Sequence, residues 1–243
     1  MKDVLFELIS NRRIAKNTYE WVLGGDTSDI TAPGQFVNIK LDGFYLRRPI
    51  SVCDAEDGKL TIIFKAVGEG TEKMANAKAS ESFLTLSGLG NGYKLEGSGQ
   101  LPLLIGGGAG VPPMYMLAKK LIAEGKEPTV ILGFGSRDEV FYEEEFKALG
   151  ARVLVSTVDG SYGIKGFVTD AMSEVEYTYF YTCGPEPMLK AIYDKSTTSG
   201  EFSFEERLGC GFGACMGCSC KTKYGNTRIC RDGTVLVKEE IIW

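Results

Sequence analysis

The sequence predicts a multi-domain β plus α/β protein. An N-terminal antiparallel β-barrel is expected over residues 1–98, a parallel-sheet nucleotide-binding domain over 99–198, and a small metal-stapled C-terminal domain over 199–243. Three observations carry this. Short β-branched or alternating runs, each bounded by turn residues, recur through the first hundred residues. From Leu101 onward, apolar strands alternate with segments of helical period, the pattern of a parallel sheet. Five of the seven cysteines then fall between Cys210 and Cys230, in a glycine-rich stretch too short to build an apolar core of its own.

Barrel strands are expected at Val4–Ile9, Thr18–Leu23, Gln35–Leu41, Pro49–Cys53, Leu60–Ala66 and Phe83–Ser87. Gly24-Gly25-Asp26, Pro33-Gly34, Asp42-Gly43, Asp57-Gly58 and Gly68-Glu69-Gly70 supply the turns between them. A short helix is expected from Glu72 to Ala79. The alternating region opens with a strand at Leu101–Ile105 and a helix from Pro112 to Glu124. On that helix Met114, Leu117, Ala118, Leu121 and Ile122 share one face, and proline is tolerated in its first turn. Strands at Thr129–Phe134 and Arg152–Thr157 flank an acidic helix at Tyr142–Leu149. A helix at Phe167–Ser173, a strand at Thr178–Cys183 and a helix from Pro185 to Lys195 complete the pattern. There is no internal repeat.

The chain of 243 residues carries 27 basic and 32 acidic side chains, a net charge of −5. That balance argues against nucleic acid or an anionic membrane as a partner. Histidine is absent altogether. Its absence removes Ser-His-Asp and Cys-His catalysis, imidazole-ligated zinc, facial-triad iron and histidine-held haem. Chemistry is therefore expected to come from a cofactor. The charged start Met1-Lys2-Asp3 does not read as a signal peptide. The longest weakly polar run, Leu101 to Ala118, holds too many glycines and prolines for a membrane helix. A cytoplasmic location is expected, a reducing setting in which clustered thiols are ligands rather than disulfides.

Four residues separate Cys210 from Cys215, two separate Cys215 from Cys218, and eleven separate Cys218 from Cys230. Three close thiols followed by a distant fourth is the plant-type [2Fe–2S] spacing. Gly211, Gly213, Gly217 and the small Ala214 suit a backbone that must curl around inorganic sulfide and point N–H groups at it. A four-cysteine zinc site is the competing reading, but such sites usually pair two separated knuckles. The C-terminal unit is thus expected to be an iron–sulfur domain, with Cys220 a bystander.

Arg48-Pro49-Ile50-Ser51 opens a barrel strand. Its guanidinium fork suits a pyrophosphate, with a hydroxyl three residues on. Ile62-Ile63-Phe64-Lys65 forms a strand, and Gly68-Glu69-Gly70-Thr71 a phosphate-sized turn. In this order, ahead of an α/β domain, they read as a flavin site. Gly106-Gly107-Gly108-Ala109-Gly110 joins a strand to a helix, where glycines admit a dinucleotide pyrophosphate. Cys183-Gly184-Pro185 ends the last strand, at the sheet edge where open α/β sheets bind ligands. Cys183 reads equally as a buried core thiol.

The succession of Arg-Pro-Ile-Ser, Gly-Gly-Gly-x-Gly and Cys-Gly-Pro-x-Pro-Met resembles the ferredoxin reductase-like flavoproteins. Glu205 to Cys215, Leu46 to Ser51, Phe141 to Phe146 and Asp159 to Gly166 are similar to the electron-transfer subunits of class B dihydroorotate dehydrogenases. That resemblance spans nearly the whole chain. It implies FAD, one [2Fe–2S] cluster and NAD as cofactors. It also implies an FMN-containing catalytic partner, in a heterotetramer of two plus two chains. Carried over by position, FAD contacts Arg48, Pro49, Ile50, Ser51, Ile63, Phe64, Lys65, Gly70 and Thr71. NAD contacts Gly107, Gly108, Gly110, Cys183, Gly184 and Pro185, and the cluster ligands are Cys210, Cys215, Cys218 and Cys230. The implied function is electron transfer from FMN through the cluster and FAD to NAD+ in de novo pyrimidine biosynthesis, with no catalytic acid or base on this chain. The sequence departs from the pattern at Gly88-Leu89-Gly90, in the short interval before Cys230, and at Thr234, where proline is common. Two alternatives stand: a ferredoxin-linked or bifurcating reductase subunit of the same superfamily, and a zinc-stapled nucleotide-binding module. Arg137-Asp138, beyond the second α/β strand, pairs an acid with a base and so does not choose between NADH and NADPH.

Overall fold

In the computed structural model, which describes residues 1–243, six strands close an antiparallel barrel. They are β1 (Lys2–Ala15), β2 (Thr18–Gly24), β3 (Phe36–Ile39), β4 (Arg48–Glu56), β5 (Lys59–Lys65) and β6 (Ser82–Leu89). Around the barrel the order is β1-β2-β5-β4-β3-β6, and β6 returns to β1. Alternation is visible on β1, where Val4, Phe6 and Leu8 point inward and Leu5 and Ile9 outward, as a pleated strand requires. Trp21 fills the centre, edge-on to Phe64 at 5.4 Å and tilted against Phe83 at 4.7 Å.

The helix between β5 and β6, α1 (Glu69–Ala75), begins three residues earlier than its sequence suggests. The Thr71 hydroxyl accepts the N–H groups of Val67 at 3.0 Å and Gly68 at 3.2 Å, which satisfies donors left free at a helix start. Gly70 and Thr71 therefore belong to its first turn rather than to a turn ahead of it.

The second half alternates as expected: β7 (Pro102–Gly107), α2 (Pro112–Ala123), β8 (Thr129–Phe134), α3 (Glu143–Ala148), β9 (Arg152–Thr157), β10 (Ile164–Lys165), α4 (Val168–Met172), β11 (Tyr179–Cys183) and α5 (Glu186–Lys195). The central strand β7 is buried at all six positions, as in a parallel sheet covered on both faces. Leu104, Val130, Leu132 and Tyr181 face Met114, Leu117 and Leu121 of α2. Leu103, Ile105, Ile131 and Phe180 face Ala171, Met172, Leu189 and Ile192 of α4 and α5.

The cysteine-rich segment does not stand apart from this sheet. Its strand β12 (Gly200–Ser203) runs parallel to β11. A hairpin of β13 (Ser219–Thr222) and β14 (Gly225–Arg228) follows. The chain then returns as β15 (Val235–Val237), antiparallel to β12. The sheet thus has seven strands in the order β10-β9-β8-β7-β11-β12-β15. The barrel is tied to the same segment: the Asn91 amide donates to the Val235 carbonyl at 2.8 Å and accepts its N–H at 3.0 Å. Barrel and sheet are joined by Lys16–Asp138 and Lys65–Glu139 pairs, both at 3.0 Å, and by the Tyr142 hydroxyl donating to Glu20 at 2.7 Å. No helix is long and apolar enough to cross a membrane.

Candidate functional site

Two clefts and one loop hold the residues singled out by the sequence. The first cleft runs between the barrel and the cysteine-rich segment. Pro49, Ile50 and Ser51 of β4, Ile63, Phe64 and Lys65 of β5, and Thr71 line one side. The opposite wall is Ser203 to Glu206, Leu208, Ile229 and Thr234. Arg48 packs against the first turn of α1, its guanidinium 4.6 Å from the Phe44 ring and directly over Gly70, so that any side chain at 70 would take its place. Arg48 and Gly70 therefore stand beside this cleft rather than among its lining residues; apolar walls with a guanidinium nearby suit a flavin ring joined to a pyrophosphate. The Thr71 hydroxyl itself is spent on the turn, donating to the Gly68 carbonyl at 3.0 Å.

The second cleft, of about 490 Å³, opens at the carboxyl ends of β7, β8 and β9 and continues to the start of α5. Gly107 pairs with Gly133, and Gly133 with Ser156, in one register row. Row neighbours project to the same face of a sheet, so this floor is bare backbone with a single hydroxyl. A Cβ at Gly107 would strike Met188 and one at Gly133 would strike Val168. Ser156 is 1 % exposed, and its hydroxyl has no hydrogen-bond partner. An orphaned buried hydroxyl on a glycine floor fits a dinucleotide that supplies the missing partner.

Gly107, Gly108 and Pro185 line this cleft, whereas Gly110, Cys183 and Gly184 lie behind it. Gly110 packs on the carbonyl of Cys183. Cys183 is 1 % exposed in the core with Tyr93, Val111 and Tyr181, and burial pushes its thiol well above the ordinary range. Arg137 and Asp138 do not reach the cleft: the guanidinium sits 5.5 Å over the Tyr162 ring, and the carboxylate pairs with Lys16. The charged groups that do line it are Lys65 and Glu139, paired with each other. Lys65 is the one side chain common to both clefts.

In the cysteine loop, the Cys210 sulfur accepts the N–H of Ala214 at 3.3 Å and of Cys215 at 3.5 Å. Burial opposes ionisation there, but these N–H groups, that of Phe212 and the Cys215 thiol hold the Cys210 thiol down at about 6. Burial and the Cys218 thiol push Cys230 up to about 12, with the two sulfurs 3.3 Å apart. Cys210 thus sits beside Cys215 and Cys218 beside Cys230, while no three of the four thiols are gathered closely enough to hold one metal ion; four thiolates are the donor set that a [2Fe–2S] cluster would take. Gly211 and Gly213 adopt φ of +80° and +90°, the left-handed region open to glycine. The Asn38 amide, on β3, donates to the Cys210 carbonyl at 3.5 Å. Cys220 lies apart on β13, opposite Thr227.

Residues 205–242 match the iron-sulfur cluster binding domain of dihydroorotate dehydrogenase B, and residues 104–194 an oxidoreductase NAD-binding domain. Two curated relatives carry the name dihydroorotate dehydrogenase B (NAD(+)), electron transfer subunit. One, from Fusobacterium nucleatum, is 44% identical over 95% of this chain and 95% of its own. The other, from Bacillus pumilus, is 44% identical over 99% and 98%. The chain belongs to this family of electron-transfer subunits. Among solved structures, an NADH-dependent reduced ferredoxin-NADP oxidoreductase is similar at a TM-score of 0.89 and 29% identity, over 98% of this chain and 90% of that one. The flavohaem-like FAD/NAD-binding domain of nitric oxide dioxygenase from Vibrio cholerae shares the fold at a TM-score of 0.67 and 22% identity, over 80% and 92%.

In this electron-transfer subunit, several site residues escaped the sequence reading. Gly133 to Gly135, Ser156 and Gly166 to Thr169 line the second cleft. The rule that ligands gather at the carboxyl ends of parallel strands would have found Gly133 and Ser156 once β8 and β9 were placed. Nothing local marks Thr234 or Ile229 as walls of the first cleft, because that contact joins segments more than 150 residues apart. At the departures from the family pattern, Gly88 and Gly90 take φ of +70° and +81°, and the Thr234 hydroxyl lies 3.4 Å from the Gly34 carbonyl.

Proposed function

We propose that this chain is the electron-transfer subunit of a dihydroorotate dehydrogenase B of de novo pyrimidine biosynthesis. It passes electrons from the FMN of a separate catalytic subunit, through a [2Fe–2S] cluster and FAD, to NAD+. Its functional units are residues 1–98 for FAD, 99–198 for NAD and 199–243 for the cluster. When bound, the cluster carries one electron at a time and the flavin exchanges single electrons for a two-electron hydride. The observation that supports this reading most is a shared wall: Leu208 and Ile229, two residues before Cys210 and one before Cys230, face the same cleft as Ile50 and Ser51. The loop that carries the thiols is thereby held against the flavin cleft, while Lys65 links that cleft to the dinucleotide floor.

The chain's own residues bind and orient. Arg48 neutralises a pyrophosphate, Ile50 and Ile63 exclude water, and Cys210, Cys215, Cys218 and Cys230 hold iron. Gly107, Gly108 and Pro185 admit the dinucleotide, with Gly110, Cys183 and Gly184 packed behind them to shape the loop. The catalytic FMN subunit docks over the exposed rim of the cysteine loop, where Phe212 and Met216 flank Cys215 and are 43% and 55% exposed. The assembly is a cytoplasmic heterotetramer of two plus two chains.

The test is a Cys215→Ser variant in the complex purified anaerobically with its catalytic subunit. Dihydroorotate-dependent NAD+ reduction falls to background, while NADH still bleaches the flavin. Undiminished coupled activity overturns the relay. A flavin-containing wild-type chain that NADH reduces but that never co-purifies with dihydroorotate oxidation overturns the assigned partner and points to a ferredoxin-type one.

A further inference from the structure

We propose that Arg228 is a positioning residue for the cluster, its guanidinium clasping the three stretches of chain that carry the thiols and biasing the cluster toward its reduced state. This rests on the cluster reading above. Arg228 ends β14, two residues before Cys230. Its Nε and Nη2 donate to the two carboxylate oxygens of Asp232 at 2.8 and 3.0 Å. Asp232 also accepts the Arg228 backbone N–H at 3.1 Å, closing a ring around Cys230. The remaining arm, Nη1, donates to the Gly213 carbonyl at 3.0 Å and lies 3.9 Å from the Met216 sulfur.

One side chain therefore touches the arc between Cys210 and Cys215, the link between Cys215 and Cys218, and the segment after Cys230. Both residues it reaches on the loop lie in the left-handed region, Gly213 at φ +90° and Met216 at φ +59°. For methionine that conformation is costly and persists only where neighbours over-determine it. A planar fork can grip a carboxylate and still present a third donor, which an ammonium cannot do with the same geometry.

The charge has a separate consequence. A thiolate-ligated cluster becomes more negative on accepting an electron, and a nearby cation favours that change. The Arg228 side chain is 23% exposed, so its charge is only partly screened, and Asp232 offsets part of it. Arg228 and Asp232 should then move the cluster potential in opposite directions.

The test uses the FAD-loaded chain purified anaerobically, with iron and sulfide counted first and the cluster titrated by EPR-monitored reduction. At the wild-type midpoint, Arg228→Gln lowers the reduced-to-oxidised ratio about threefold, equivalent to about 28 mV at 59 mV per tenfold for one electron. Asp232→Asn raises the ratio by a similar factor. Arg228→Lys keeps the ratio within about twofold but releases iron to a chelator faster than wild type. A merely structural role would lower cluster occupancy in all three and leave the potential of the loaded fraction in place. Shifts of the same sign, or none, in variants that retain iron overturn the proposal. If Arg228→Gln does not hold iron, a failure of Asp232→Asn to raise the ratio overturns it alone. A wild-type chain free of iron and sulfide refutes the cluster reading itself, and this inference with it.

Discussion

Ser156 offers a prediction in which two measurable quantities move in opposite directions. Its hydroxyl is buried beside Gly133 on the floor of the cleft proposed for the dinucleotide and has no partner within the chain. An unsatisfied buried hydroxyl costs roughly 1–3 kcal/mol. Replacing it with a methyl group should stabilise the nucleotide-free protein, by about 1 kcal/mol once the lost contacts are counted. For a chain of this size that raises the unfolding midpoint by ~2–4 °C. Bound dinucleotide, in contrast, loses one hydrogen bond with a net value of about 0.5–1.5 kcal/mol, which weakens binding roughly 2- to 10-fold. Thermal denaturation of the FAD-loaded Ser156→Ala protein without nucleotide, and calorimetric titration with NAD+, read the two effects. A lowered midpoint would show that the hydroxyl already has a structural partner. Unchanged NAD+ affinity would show that the ligand does not use it.

Three further predictions follow from the packing. Tyr142→Phe removes the interdomain hydrogen bond to Glu20, which is 9 % exposed and otherwise held by Arg12 at 3.0 Å; unfolding in urea should weaken by about 1–3 kcal/mol, and an unchanged midpoint would refute the bond's role. Gly70→Ala places a methyl group where the Arg48 guanidinium lies. Loss of one charge-assisted contact should weaken FAD binding roughly 10- to 100-fold, measured by flavin fluorescence on the deflavinated protein. Burial raises the Glu201 carboxyl above its ordinary 4.5, against the opposing N–H of Lys94 and hydroxyl of Tyr179. The folded state therefore keeps this proton to higher pH than the unfolded chain. Its contribution is full below 4.5 and declines as pH rises through the raised folded value. Glu201→Gln should gain stability relative to wild type between pH 4 and pH 7, read from paired urea midpoints, and a pH-independent difference would disprove the assignment.

The residues that reveal the architecture lie close together in the chain. β8 and β9 fall where period-2 and β-branched runs place them, and α2 where its apolar face does, because those signals depend on neighbours a few residues away. The same holds for the cysteine spacing: three thiols within nine residues can share one cluster whatever the rest of the fold does. The first turn of α1 was not legible, because Thr71 captures two N–H groups and moves the helix start. Cys183 and the Arg137-Asp138 pair were equally ambiguous. Residue type allows each to face a ligand, and only the packing of Tyr93 and Val111 around the thiol, Tyr162 under the guanidinium and Lys16 beside the carboxylate turns them away.

By itself, then, the sequence determined the order of barrel, sheet and cysteine loop and the kinds of groups they hold. Tertiary structure decided which of those groups meet. The cysteine segment enters the sheet through β12 and β15, Asn38 reaches the Cys210 carbonyl, and Ile229 faces Ile50 across one cleft. The Asn38 and Ile229 contacts join residues more than a hundred positions apart, and β12 and β15 reach the sheet across shorter but still non-local separations. They form because the apolar faces of β12 and β15 can be buried only against β11 and the core beneath it, and no local pattern encodes where that edge lies.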